Sequence, residues 1–154
     1  MYITLETDYA IRIVDCLARQ NQRMGAQAIA DRSNVTLRFA LKILRKLVGA
    51  GILRSYKGVQ GGYELQKKPA EITLYNIVET IEGPYGFSRC VLPGHQCPRN
   101  VTGPCPYHLI FQDVTDAVVE RLKKVTIEDA ISSGDPDLDR LSTFISEANI
   151  QVRP

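Results

Sequence analysis

Cys90, Cys97 and Cys105 crowd into sixteen positions of a 154-residue chain that holds four cysteines in all, and His108 follows the last of them by three. Thiolates ligate soft metals and clusters and are also the nucleophiles of redox switches, so three in one stretch point to metal or redox chemistry. Six residues separate Cys90 from Cys97, seven separate Cys97 from Cys105, and two separate Cys105 from His108. A zinc knuckle uses cysteines about two to four apart, and these spacings are too loose for one. Pro93, Gly94, Pro98, Gly103, Pro104 and Pro106 oppose helix, which predicts an open loop whose thiolates can converge on a cluster. Three thiolates leave a 2Fe-2S or 4Fe-4S cluster one ligand short, and an imidazole or carboxylate can supply the fourth. His108 is the first candidate, and a 2Fe-2S cluster is favoured over a 4Fe-4S one. Zinc, or a thiol switch closing a disulfide between two of the three, stays open as an alternative. Cys16 reads as a small buried hydrophobe and His95 as an ordinary loop residue.

The elements that must carry this loop are mainly α-helical with one small β-hairpin. Thr4 is placed to cap a first helix in which Leu5, Tyr9, Ala10, Ile13, Val14 and Leu17 share an inward face. A short second helix spans Ala26 to Arg32, and Ser33-Asn34 makes the turn into a third helix capped by Thr36. In that third helix Ala40, Leu41, Leu44, Leu47 and Val48 form an apolar stripe opposite Arg38, Lys42, Arg45 and Lys46. Gly49 and Gly51 stop it, and Ile52 to Tyr56 and Tyr63 to Gln66 read as strands of a hairpin. Helices two and three with this hairpin make a winged helix-turn-helix. Thr73 caps a fourth helix through Glu82, stopped by Gly83-Pro84. Pro106 starts a long helix to about Val125 with an apolar seam of Ile110, Phe111, Val114, Val118 and Leu122, suited to pairing with its twin in a homodimer. Asp135-Pro136 opens a last amphipathic helix with Leu138, Leu141 and Ile145 on one face.

A recognition helix enters the major groove with its early residues against base edges and flanking cations on phosphates. Arg38 and Phe39 stand where base contact is expected, Arg38 for a bidentate contact to guanine and Phe39 for a thymine methyl. Thr36 is read as both cap and phosphate ligand, with Lys42 and Arg45 as flanking cations. The wing needs glycine to turn tightly against the sugar-phosphate wall and a cation to meet it; Gly61, Lys57 and Arg54 fit.

The net charge of +2 hides an asymmetry: residues 1–68 hold 12 Lys/Arg against 5 Asp/Glu, and residues 69–154 hold 7 against 12. A basic half joined to an acidic half suits a reader of double-stranded DNA attached to a sensing and assembly part. With 44% apolar and 23% charged residues, one core is expected. The division reads as 1–83 for the DNA-binding domain, 84–106 for the cluster loop and 107–154 for dimerisation and the C-terminal helix. No apolar run reaches the length of about 18 that a membrane helix needs, and Met1 to Asp8 lacks the features of a leader, so a cytoplasmic chain with no membrane partner is expected. HExxH, glycine-rich phosphate loops and nucleophile elbows are absent from the sequence, which argues against an enzyme.

The stretch Asp8-Tyr9-Ala10, the helix-turn-helix, the wing Gly58-Val59-Gln60-Gly61-Gly62-Tyr63 and the three loop cysteines together resemble the Rrf2 (Rrf-two) family of transcription regulators, whose branches include IscR, NsrR and RirA. The resemblance implies a homodimer that crosses its long helices and binds an inverted repeat, as repressor or activator. It implies cluster ligation by Cys90, Cys97 and Cys105. The IscR-like fourth ligand falls on His108, and the NsrR-like one on Asp8 of the partner subunit. The intervals of six and seven are wider than the five and five of those branches, so the branch stays open. Arg38, Phe39 and Leu41 replace the polar and acidic reading set of the IscR-like helix, which implies a different operator. A cluster-free regulator of this fold, answering through a thiol switch or a protein partner, is the alternative.

Overall fold

A computed structural model describes residues 3–58, 60–97 and 104–132. The chain order is α1 (Leu5–Gln20), α2 (Ala26–Ser33), α3 (Leu37–Gly49), β1 (Leu53–Tyr56), β2 (Gly62–Leu65), α4 (Leu74–Glu82), α5 (Pro106–Lys124) and α6 (Ile127–Ser132), with 3-10 turns at Pro69–Glu71 and Arg89–Val91. The helix expected from Asp135 lies outside the described residues.

Thr4 caps α1 by accepting from the Thr7 amide, and Asn21 closes the helix in the left-handed conformation at φ 44°. The buried stripe of α1 is Thr7, Ala10, Ile13, Val14 and Leu17, at spacings of three and four. That stripe corrects one expectation: Leu5 is 62% exposed, because the inward position of the first turn belongs to Thr7. Asn34, at φ 53°, turns α2 into α3, and the Val35 amide donates to Ala30 O at 2.9 Å. α3 buries Ala40, Ile43, Leu44 and Leu47 against α1 and α2. It runs through Gly49, and Ala50 is its C-cap, so the stop falls on Gly51 at φ 69° rather than on both glycines.

β1 and β2 pair antiparallel, with Leu53 opposite Leu65, Arg54 opposite Glu64, Ser55 opposite Tyr63 and Tyr56 opposite Gly62. One residue of the α1–α2 connection joins them: the Met24 amide donates to Tyr63 O at 3.0 Å and the Tyr63 amide to Met24 O at 2.8 Å. The wing is thereby tied to the helical core at its base.

α4 starts with a reciprocal cap between Thr73 and Asn76 and buries Ile77, Val78 and Ile81. α5 packs on α4 and ends beside its start, where the Leu74 amide donates to Val125 O at 2.9 Å and the Ile127 amide to Ile72 O at 2.8 Å. The long helix therefore stops at Lys124. A separate helix, α6, follows, capped by Thr126, whose Oγ1 accepts from the Asp129 amide at 3.1 Å. Ile127 of α6 is fully buried in the same core as Ile13 and Leu44. The seam expected along α5 is only half-buried at Phe111, Val114, Val118 and Leu122, and Ile110 is 57% exposed, although α4 and the Arg89–Val91 turn pack on the helix.

Candidate nucleic-acid interface and cysteine segment

With one face of α3 filling the core, the other presents Thr36, Arg38, Phe39 and Arg45 to solvent. Phe39 is 48% exposed and rests edge-on against Tyr9 of α1, ring centroids 6.2 Å apart, which fixes an apolar side chain outside the core. Thr36 stands at the N-cap position, but its hydroxyl makes no capping hydrogen bond, contrary to the double role expected of it. Lys42 and Lys46 are drawn sideways to α1: Lys42 Nζ lies 2.9 Å from Glu6 Oε2 and Lys46 Nζ 2.8 Å from Glu6 Oε1. The Lys46 ammonium beside it holds the Glu6 carboxyl below the usual carboxylate range; partial burial opposes this, and the hydrogen bond from Lys42 adds to it. Sequence reasoning missed Glu6, because helix periodicity assigns faces within one helix and carries no signal for a reach between two.

The wing is built by glycines at contact distance. The Gly61 amide donates to Gly58 O at 2.9 Å, and a Cβ on Gly61 would stand 2.5 Å from Tyr56 O. Lys57 and Arg54 are exposed on this hairpin. Its base carries a cluster that the sequence did not suggest: the Arg23 guanidinium lies 3.4 Å from the centre of the Tyr56 ring, and Arg23 Nε lies 3.3 Å from Glu64 Oε2. Tyr56 OH donates to Glu64 as well. That bond lowers the Glu64 carboxyl below its ordinary value; desolvation opposes it, and the pairing with Arg23 adds to the lowering.

The cysteine segment leaves the end of α4 and is fastened to α5. Thr115, the one fully buried residue of α5, accepts from the Phe87 amide at 3.0 Å and donates to Phe111 O at 2.7 Å, while the Phe87 and Phe111 rings meet at 5.6 Å. Cys90 sits in the Arg89–Val91 turn, half-buried, its Sγ donating to Ser88 Oγ at 3.4 Å. Cys97 is exposed, and Cys105 is the half-buried N-cap of α5, with His108 in the first turn beyond it. Asp8 lies on α1, paired with Arg12 at 2.7 Å. All four thiols are free. Among the described residues no three His, Cys, Asp or Glu side chains converge to hold a metal ion. The donor types suit an iron-sulfur cluster, but one chain, as described, does not gather them into a cradle for it; residues 98–103 between Cys97 and Cys105 lie outside the description.

A helix-turn-helix with a cationic exposed helix and a glycine-built wing defines a DNA-binding transcription regulator, not an enzyme. The chain belongs to the Rrf2 family: the family model described as "Iron-dependent Transcriptional regulator" matches residues 3–133. An Rrf2-like HTH-type regulator of Rhodobacter capsulatus is 30% identical over 144 residues, covering 87% of this chain and 95% of that protein. An HTH-type regulator of Aquifex aeolicus is 29% identical over 125 residues, covering 80% of this chain and 87% of that one. Of solved structures, CymR of B. subtilis, titled the global cysteine regulator, aligns with a TM-score of 0.69 at 27% identity over 86% of this chain and 97% of CymR. T. potens IscR aligns with a TM-score of 0.71 at 19% identity over 88% of this chain and 90% of IscR, a likeness of fold. No described helix is long and apolar enough to cross a membrane.

Proposed function

We propose that the protein is a sequence-specific regulator that reads an inverted-repeat operator as a homodimer and takes its signal at Cys90, Cys97 and Cys105. The observation that carries the DNA part is the exposure of Arg38, Phe39 and Arg45 on α3 beside a wing bearing Lys57 and Arg54. Arg38 is suited to a bidentate guanine contact and Phe39 to a thymine methyl. Lys57 on the wing is suited to phosphates or the minor groove, with Gly61 allowing the close approach. A second copy is favoured by the start of α5, where Tyr107, Leu109 and Ile110 are 59%, 57% and 57% exposed. A twofold pair would place recognition helices about 34–36 Å apart, one turn of DNA.

The signal is read as iron, redox state or nitric oxide acting through an iron-sulfur cluster on the three cysteines, with His108 or Asp8 of the partner subunit completing the set. The cysteine segment is anchored to α5 through Thr115 and follows α4 directly, so a change in its conformation bears on both helices. A thiol switch is the second reading. It is favoured by the free thiols, by the exposure of Cys97, and by the likeness to a structure titled as a cysteine regulator.

Purification without oxygen, with the visible spectrum and iron and sulfide analysis, separates the two. Colour with stoichiometric iron and sulfide, lost in Cys97→Ala, is the expected result. A colourless, iron-free protein whose DNA binding changes with thiol oxidant overturns the cluster reading in favour of the switch.

A further inference from the structure

α3 carries four cations, and the structure divides them. Arg38 and Arg45 are exposed and have no ion-pair partner among the described residues. Lys42 and Lys46 both end on the single carboxylate of Glu6, at 2.9 and 2.8 Å. Lys42 lies one helical turn after Arg38 and so shares its face, where the DNA reading needs it.

Glu6 is not a loosely held surface acid. Its side chain is 21% exposed, less than the 56% of Lys42 or the 35% of Lys46. The turn that carries it is pinned by Glu82 of α4, which accepts from the Thr4 amide at 2.8 Å and from the buried Thr7 hydroxyl at 2.6 Å. Lys46 is further tied to Ile81 O at 3.2 Å. Lys42 has no such second anchor among the described residues, so it is the one cation of the pair that DNA can draw away.

From this arrangement we infer that Glu6 is a specificity-setting positioning residue that withholds Lys42 from DNA until a fitting site displaces it. The carboxylate occupies the place a phosphate would take. A duplex that meets α3 without good base contacts finds Arg38, Arg45 and the wing cations, and leaves Lys42 on Glu6. A duplex that seats α3 fully brings its own acceptors close enough to compete. Glu6 thereby lowers affinity for non-operator DNA more than affinity for the operator, an effect built from a repulsive and sequestering element and not from a new contact. The inference rests on the reading of α3 as the DNA helix.

The test is a salt titration of binding to a random-sequence 30-base-pair duplex. Each phosphate newly neutralised adds about −0.9 to the slope of log K against log salt, or about eightfold in affinity at 0.1 M salt relative to 1 M. Glu6→Gln should steepen the slope by about that amount. Lys42→Gln alone should leave it unchanged, and Glu6→Gln with Lys42→Gln should return it to the wild-type value. The cycle separates release of Lys42 from mere removal of a negative charge, which would persist in the double variant. A wild-type slope that falls by about 0.9 on Lys42→Gln, or a Glu6→Gln effect that survives Lys42→Gln, overturns the inference and leaves the DNA helix standing. Should Glu6→Gln fail to fold, a slope that falls by about 0.9 on Lys42→Gln still overturns the inference. A wild-type protein that binds no duplex removes the DNA helix and this inference with it.

Discussion

Replacing Gly62 by Ala tests how the wing is held. Gly62 has φ 151°, and a Cβ there would stand 2.5 Å from Met24 O and 2.8 Å from Met24 C. Those are backbone atoms fixed by the two Met24–Tyr63 hydrogen bonds of 3.0 and 2.8 Å, so no change of rotamer relieves the clash. The Met24 backbone must move and both bonds must lengthen or break. Backbone strain costs about 1–3 kcal/mol, and two backbone hydrogen bonds at about 0.5–1.5 kcal/mol each add a similar amount. Gly58 is the control, because its φ is 93° but a Cβ there meets nothing within 4 Å. Gly58→Ala therefore carries the strain alone. Urea unfolding should place Gly62→Ala below Gly58→Ala by about 1–3 kcal/mol, a large share of the roughly 5–15 kcal/mol that holds a domain together. Equal losses in the two variants would refute the claim that the wing depends on close approach to the α1–α2 connection.

Thr115→Val leaves the Phe87 amide without its acceptor while preserving side-chain shape. It should cost about 1–3 kcal/mol and speed hydrogen exchange at Phe87 by about 5- to 150-fold, and unchanged exchange there would mean that Thr115 does not fasten the cysteine segment. Burial pushes the Glu82 carboxyl up, but the bonds from Thr7 and Thr4 outweigh it and leave the group below its ordinary 4.5. A lowered folded value means that the stability it contributes is complete above about pH 4.5 and is lost as pH falls through that lowered value. Thr7→Val should flatten the stability profile below about pH 4.5, and an unaltered profile contradicts the assignment. Ile127→Ala should cost about 2–5 kcal/mol in chemical denaturation, because Ile127 is 1% exposed in the main core; a loss below 1 kcal/mol would mean α6 is not part of it.

Local signals made much of the fold legible before the structure. Thr4 and Thr73 as caps, Asn34 as the left-handed turn and Pro106 as the first residue of a long helix each rest on chemistry that neighbours in sequence supply. What escaped depends on partners distant in sequence. Leu5 fits the 3.6-residue period but lies outside, because Glu82, 75 residues beyond Thr7, draws Thr7 inward. α6 was hidden because Val125 fits the end of the α5 seam, although Thr126 and Asp129 carry the capping pattern that starts a new helix. The DNA helix could be found from its alternation of greasy and cationic faces, yet not the capture of Lys42 and Lys46 by Glu6, 36 and 40 residues away. The cysteines could be counted and their spacing judged, but convergence is a property of three dimensions, and the described residues do not bring them together.

Selection of duplexes from a randomised library, followed by binding of the selected and scrambled sequences, reaches the role of α3 and the wing most directly. Wild-type protein should prefer the selected duplex, which should contain an inverted repeat. Arg38→Ala should relax preference at one base position by about 5- to 150-fold, the equivalent of 1–3 kcal/mol, while Lys57→Ala weakens all sequences alike and shallows the salt slope by about 0.9. An Arg38→Ala protein that selects and binds the same sequences as strongly as wild type would show that bases are read elsewhere and contradict the assignment of α3.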